Sequence, residues 1–334
     1  DRVGERLAKA LPEASGLLTV DVELWRMLDS EINATFEGLR RIVAEGGGAV
    51  LDTIIRRSFA EAKVKGTPDA VRRILDLNEV AFADLPPRYV PSKPPALTAA
   101  QLKVGPPPAA DAPAIVVLDS GIASAHPILE PCVREAISLL PQSPDPGDDA
   151  GHGTAVASVA AYGDLAWCLQ RNSFTPTVWI HSIKVLKSDP IGQTFYDDTR
   201  LLTKQIVQAV TETMAKHARA RVFVLAFGDV DHYLSSTARQ FPVAAVVDEL
   251  AHEYDAVFVV PTGNAEHDFP VGYPDSLLLD GPAARIISPG SSALALTVGS
   301  HFNRPVEAPK QGQLSLFPTA TFHPWPSRFT RAGP

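Results

Sequence analysis

The chain predicts an α/β fold, a doubly wound parallel sheet, preceded by a small α+β unit of ferredoxin-like order. Three observations predict it. Apolar runs at residues 114–118, 178–183, 222–227 and 256–260 alternate with helical stretches such as 197–219, the texture of buried parallel strands joined by helices. Residues 1–85 instead carry half-buried, alternating strands and amphipathic helices. Between them, residues 86–113 hold nine prolines, which remove amide donors and fix backbone angles, so an extended linker separates two domains at 1–85 and 114–334.

The elements of the first domain follow in order. Leu18, Val20, Val22 and Leu24 alternate with Thr19, Asp21 and Glu23, as in a strand with one buried face. Phe36, Leu39, Ile42 and Val43 recur at helical spacing, and Gly46, Gly47 and Gly48 end that helix. The triple glycine also looks like a phosphate loop, but no lysine with serine or threonine follows it. Strand-like runs at 49–56 and 58–64 lead to Thr67 and Pro68, a cap and first-turn pair for a helix carrying Val71, Ile74 and Leu75. A strand at 80–85 completes a β-α-β-β-α-β order, the split βαβ arrangement, with nothing catalytic in it.

Composition narrows the function classes. Of 334 residues 45% are hydrophobic, enough to bury a core. The net charge of −8 arises from 38 acidic and 30 basic residues without a long block of one sign, which argues against nucleic acid or an anionic membrane as partner. Cys132 and Cys168 are too few for a disulfide framework and are not spaced as a metal knuckle. No run reaches the roughly 18–20 apolar residues of a membrane span, so a soluble protein is expected. The chain starts at Asp1 without a signal-type segment; the cytoplasm is the expected compartment, with secretion left open. Neither a metal nor a cofactor is expected.

The chemistry-bearing residues lie in the second domain. AIVVLDSGI places Asp119 at the carboxyl edge of a strand, with Gly121 in the turn beyond it. Ligands of such sheets sit at that edge. In isolation the carboxylate serves a ribose, a magnesium ion or a helix cap as readily. Further on, DDAGHGTAVASVAAYG sets His152 between Gly151 and Gly153 at the start of a small-residue helix. Flanking glycines permit close backbone approach and unusual angles.

VVLDSGI followed by GHGTAVAS resembles the aspartate and histidine motifs of the subtilisin-like serine peptidases. VFVVPTGN is similar to that family's oxyanion-hole segment, and SALALTVGS followed by PSRFTRAGP resembles the stretch leading to the nucleophile. The resemblance covers about residues 112–334 and implies a subtilisin-like sheet, here incomplete. It implies His152 as general base, Asp119 as the acid that orients it and Asn264 as the oxyanion donor. Thr262 and Gly263 with Ala226, Phe227 and Gly228 of VLAFGD would line an extended polypeptide substrate. The amino-terminal domain resembles in topology the propeptides of these enzymes, packing on the peptidase domain, or else serves as an adaptor.

The family's glycine-threonine-serine nucleophile run does not follow Arg331, so the serine is expected beyond Pro334 and the chain by itself is expected to be inactive. PGSSALAL imitates that run and makes Ser292 an internal candidate, but the same residues fit a strand at 293–298. Inserted loops are expected at 165–177 and 230–242. Rival readings fare worse. His252 and Glu253 begin a zinc-peptidase pattern that no second histidine completes, and no strand is followed by a nucleotide-binding glycine turn. A catalytically inactive relative that binds peptides is the main alternative to a serine endopeptidase.

Overall fold

The structure, a computed structural model, describes residues 2–86, 102–188, 194–195, 199–235, 240–264, 284–302, 325–326 and 330–331. A short helix that the sequence reading did not anticipate, Glu5–Ala10 (α1), comes first; Leu7 N–H donates to Asp84 Oδ1 at 2.9 Å. Alternation then makes Leu18–Leu24 a strand (β1) with Val20, Val22 and Leu24 buried. Asp29–Ala44 (α2) turns Ile32, Phe36, Leu39 and Val43 inward, and the chain leaves it through Gly47 at φ 73°. Ala49–Ile55 (β2) and Ala60–Gly66 (β3) form a hairpin. Pro68–Leu75 (α3) is capped by Thr67, whose hydroxyl accepts Ala70 N–H at 3.3 Å, and Val80–Asp84 (β4) follows. The sheet has order β2-β3-β1-β4, all antiparallel, as the split βαβ reading requires.

The larger unit contains Ala114–Asp119 (β5), Val133–Ser138 (β6), His152–Tyr162 (α4), Leu165–Arg171 (α5) and Trp179–Lys184 (β7). The short pair Lys187–Ser188 (β8) and Thr194–Phe195 (β9) precedes Leu202–Lys216 (α6), Val222–Val224 (β10), Asp229–Tyr233 (β11), Pro242–Tyr254 (α7) and Val257–Pro261 (β12). Ile287–Ser288 (β13), Leu296–Val298 (β14), His301–Phe302 (β15) and Trp325–Pro326 (β16) complete the described elements. Six strands form one parallel sheet of order β14-β12-β10-β5-β7-β6. From β5 the chain goes first to the edge strand β6, then fills the place between them with β7, and crosses to build β10, β12 and β14 on the other side. The direction reverses beside β5, and such a switch point opens a crevice at the carboxyl ends of its strands.

Burial explains the two-sided sheet. Ile206, Ala209 and Val210 of α6 and Val246, Val247 and Leu250 of α7 pack with Leu118, Phe223 and Phe258, whose two rings stack 5.2 Å apart. Val117, Ile122, Leu129 and Ala157 of α4 form a separate buried cluster. Each such large side chain is worth about 1.5–3 kcal/mol when removed from water. Two differences from expectation are local. The run at 293–298 becomes a strand only from Leu296, because Asp248 accepts Ala293 N–H at 3.1 Å and Leu294 N–H at 2.7 Å and turns the preceding residues. The expected loop at 165–177 contains α5, started by Asp164 accepting Trp167 N–H at 3.0 Å. Of the proline-rich stretch, 87–101 lies outside the described residues; Val104 bridges to Phe174.

Charged groups meet between the small sheet and α6 and α7. Arg56 donates to Glu249 at 2.9 Å and to Glu253 at 3.0 Å, and Ser58 N–H donates to Glu249 at 2.7 Å. Asp52 accepts Leu201 N–H at 3.1 Å at the start of α6, and Thr203 donates to Glu61 at 2.9 Å.

Candidate active site

Asp119 is the last residue of β5 and is 1% exposed. Its Oδ1 accepts Ser120 N–H at 2.7 Å. His152 opens α4 on the other side of the crevice, and its Nδ1 lies 2.8 Å from Asp119 Oδ1 and 3.0 Å from Oδ2. A carboxylate at Nδ1 fixes the tautomer with the proton on that nitrogen and turns Nε2 outward as the acceptor. Burial pulls the His152 imidazole down, but the hydrogen bond and charge of Asp119, with the charge of Asp148, outweigh it and hold His152 above its ordinary value.

The approach of α4 to β5 depends on glycine. Gly151 has φ 78°, and Gly121 has φ 100°. A Cβ on Gly153 would stand 2.1 Å from Gly121 O and 3.2 Å from Asp119 Cβ, so only glycine lets the helix start this close to the acid.

Asp148 has a role that the sequence reading missed. Its Oδ1 accepts Ser120 Oγ–H at 2.8 Å, Ala150 N–H at 3.0 Å and Gly151 N–H at 2.8 Å. Its Oδ2 accepts Thr154 N–H at 2.8 Å and Thr154 Oγ–H at 2.6 Å. Ser120 Oγ in turn accepts Gly153 N–H at 3.0 Å, and Thr154 Oγ accepts Ala123 N–H at 3.0 Å. One carboxylate therefore satisfies the open amides at the start of α4 and ties that helix to the turn after β5. The available signal was an aspartate three residues before Gly151 and six before Thr154, with a hydroxyl next to Asp119.

Thr262, Gly263 and Asn264 follow β12, at the same carboxyl edge as Asp119. Gly263 has φ 98°, Thr262 N–H donates to Val298 O at 2.9 Å, and Asn264 O accepts Arg331 Nε–H at 2.9 Å. β10 lies between β5 and β12, which sets the Asn264 segment about 10 Å from the Asp119 strand. Ala226, Phe227 and Gly228 lie just past the end of β10, toward this crevice. Phe227 is 2% exposed and belongs to the core. Gly228 and Gly263 both press on Ile287, where a Cβ on either would come within 2.5 Å of Cδ1. Ser292 is elsewhere: its hydroxyl donates to Asp248 on α7. The structure thus joins Asp119 to His152 directly and sets the other expected residues at the ends of neighbouring strands.

The profile of the Y4kK central domain matches residues 1–85, and that of the subtilase family matches residues 110–319. Among solved structures, the prenylagaramide maturation protease PagA is 13% identical at a TM-score of 0.38, over 66% of this chain and 58% of that one. MycP1 with its N-terminal propeptide removed is 19% identical at 0.38, over 66% and 62%. MycP1 from Mycobacterium smegmatis is 17% identical at 0.35, over 58% and 53%. The chain therefore spans less than two thirds of the length of each. No curated protein matches. The subtilase profile takes in well over half of the residues, including Asp119, His152 and Asn264 and the whole parallel sheet from β5 to β14, and the chain belongs to the subtilase family.

Proposed function

We propose that this chain carries the acid, the base and the oxyanion donor of a serine endopeptidase, and that the nucleophilic serine is contributed from beyond residue 334. One observation carries the reading: a buried carboxylate in contact with His152 Nδ1, while Nε2 has no partner among the described residues. A serine hydroxyl is a poor nucleophile until a neutral imidazole within hydrogen-bond reach takes its proton. His152 takes that proton through Nε2, Asp119 stabilises the imidazolium, and His152 returns the proton to the leaving amine. The Asn264 side-chain amide steadies the developing oxyanion, a contribution of about 3–4 kcal/mol where such donors have been removed. The substrate is a polypeptide, lying extended along Ala226, Phe227 and Gly228 on one side with Thr262 and Gly263 near its scissile bond. No step calls on a cofactor.

The edge strand β14 supports a downstream nucleophile segment. Leu294, Leu296 and Val298 are each about half exposed, an apolar face on which a further helix would pack. The amino-terminal unit, through Arg56, Asp52 and Glu61, packs on α6 and α7 and acts as an inhibitor or adaptor of the peptidase unit.

The test is a fluorophosphonate probe on the product of the complete reading frame. Labelling is expected and is lost on His152→Ala. Undiminished labelling in that variant would remove His152 as the base, and a complete frame that never labels would favour an inactive peptide-binding subtilase.

A further inference from the structure

Three metal-binding side chains converge away from the Asp119–His152 pair. Glu135 stands on β6, His181 on its parallel neighbour β7 and His217 at the carboxyl-terminal cap of α6. Glu135 and His181 are paired across the two strands. His217 Nε2 is 2.9 Å and His181 Nδ1 is 3.6 Å from the same oxygen, Glu135 Oε2, and the two imidazole rings are 4.2 Å apart. One nitrogen or oxygen from each residue lies within 4.8 Å of the other two.

The buried imidazole points to a ligand. His181 is 2% exposed, and its Nδ1 is buried without a hydrogen-bond partner. Leaving such a group unsatisfied costs about 1–3 kcal/mol. Lys216 Nζ, 3.5 Å from Glu135 Oε1, holds the other carboxylate oxygen and leaves Oε2 facing the imidazoles.

We infer that Glu135, His181 and His217 form a binding site for a divalent zinc-like ion. Two imidazoles and a carboxylate suit zinc, with water in the fourth position. Ligands held about 2.05 Å from a tetrahedral ion stand about 3.3 Å apart, between the two donor separations seen here. His181 is paired with Val116, three residues before Asp119 in β5, so the site is about 10 Å back along the strands from the catalytic pair. An ion there clamps the end of α6 to the edge strands β6 and β7. The inference is independent of any peptidase activity.

The test uses the whole chain, stripped with a chelator and titrated with Zn²⁺ alone by calorimetry, with metal content measured after gel filtration. One ion per chain is expected, with a rise in melting midpoint. Glu135→Gln and His217→Ala, both at partly exposed positions, should each weaken binding at least about ten-fold and abolish the rise. His152→Ala should leave the stoichiometry at one. Failure to retain zinc would overturn the proposal. So would zinc that survives both ligand substitutions or is lost with His152→Ala.

Discussion

Raising the pH should loosen the contact between the small sheet and the larger unit, and His232 supplies the largest part of the effect. Its ring lies between the two units: Nδ1 is 2.8 Å from Asp229 Oδ2, Nε2 is 3.5 Å from Asp84 Oδ2 on β4, and the face stacks on Phe241 at 4.3 Å. Burial lowers its proton affinity, but the charges of Asp229 and Asp84 outweigh burial and push it from 6.5 up to about 10. The folded state therefore holds a proton that the unfolded chain releases. The stabilisation is complete below pH 6.5 and is lost as the pH climbs through about 10. At about 1.4 kcal/mol per pH unit it amounts to at most about 4–5 kcal/mol.

Glu61 acts in the same direction at lower pH. Burial, followed by the charges of Asp21 and Glu23, raises it from 4.5 to about 8, so its neutral form is favoured in the fold and its contribution fades between those values. The assay is urea unfolding of wild type and His232→Gln at pH 6 and at pH 10.5. The wild type should lose several kcal/mol over this range, and its advantage over the variant should shrink toward zero. A gap that stays constant or widens with pH would refute the assignment of the proton to His232.

Three further outcomes follow from the catalytic edge. Asp119→Asn should lower the His152 pKa, read by NMR titration of the ring, and, on the proposed peptidase reading, reduce turnover by the product of the complete reading frame by about four orders of magnitude. Asp148→Ala removes the acceptor of five hydrogen bonds at the start of α4; it should cost about 2–3 kcal/mol in denaturant unfolding and broaden the His152 ring signals. Gly153→Ala should destabilise by more than about 3 kcal/mol, because the backbone oxygen of Gly121 occupies the place of the new methyl. Gly38→Ala, inside α2 with open space around it, should stabilise by about 0.5–1 kcal/mol in the same measurement.

What was legible in the sequence was what repeats or what sits next in line. The period-two pattern of β1, the cap at Thr67 and the continuous apolar runs of β5, β7 and β12 name their own structure, since each depends on neighbours a few residues away. Asp119 and His152 were legible through the resemblance of VVLDSGI and GHGTAVAS to the motifs of the subtilisin-like peptidases, in which glycines mark the backbone that brings the two together. Asp148 was not, because a capping aspartate in a polar loop looks like many others until its five donors are seen. Neither was the Glu135, His181 and His217 cluster. Its members come from two strands and a helix end with no fixed spacing, and only the parallel register of β6 with β7 puts the first two side by side. α1 was illegible for a similar reason: six residues make too short a pattern, and the helix is held by Asp84, far along the chain.

The geometry of the Asp119–His152 edge also explains how the proposed acid–base pair can be set before any nucleophile is in place. Asp119 is fixed by β5 and by Ser120 N–H, and His152 by the helix that Asp148 and Ser120 cap, so both side chains take their positions from backbone on either side of the switch point. Neither these contacts nor the pairing of β5 with β7 and β10, which holds the Asp119 backbone, calls on a residue after Val224. A serine arriving from downstream would find the imidazole already oriented, and the entropy of ordering the pair would have been met in folding rather than in catalysis. The same independence means that the His152 titration can be followed in the chain as it stands. If Asp119→Asn left that titration unchanged, the contact at Nδ1 would have no electrostatic consequence, and the peptidase mechanism would lose its first step.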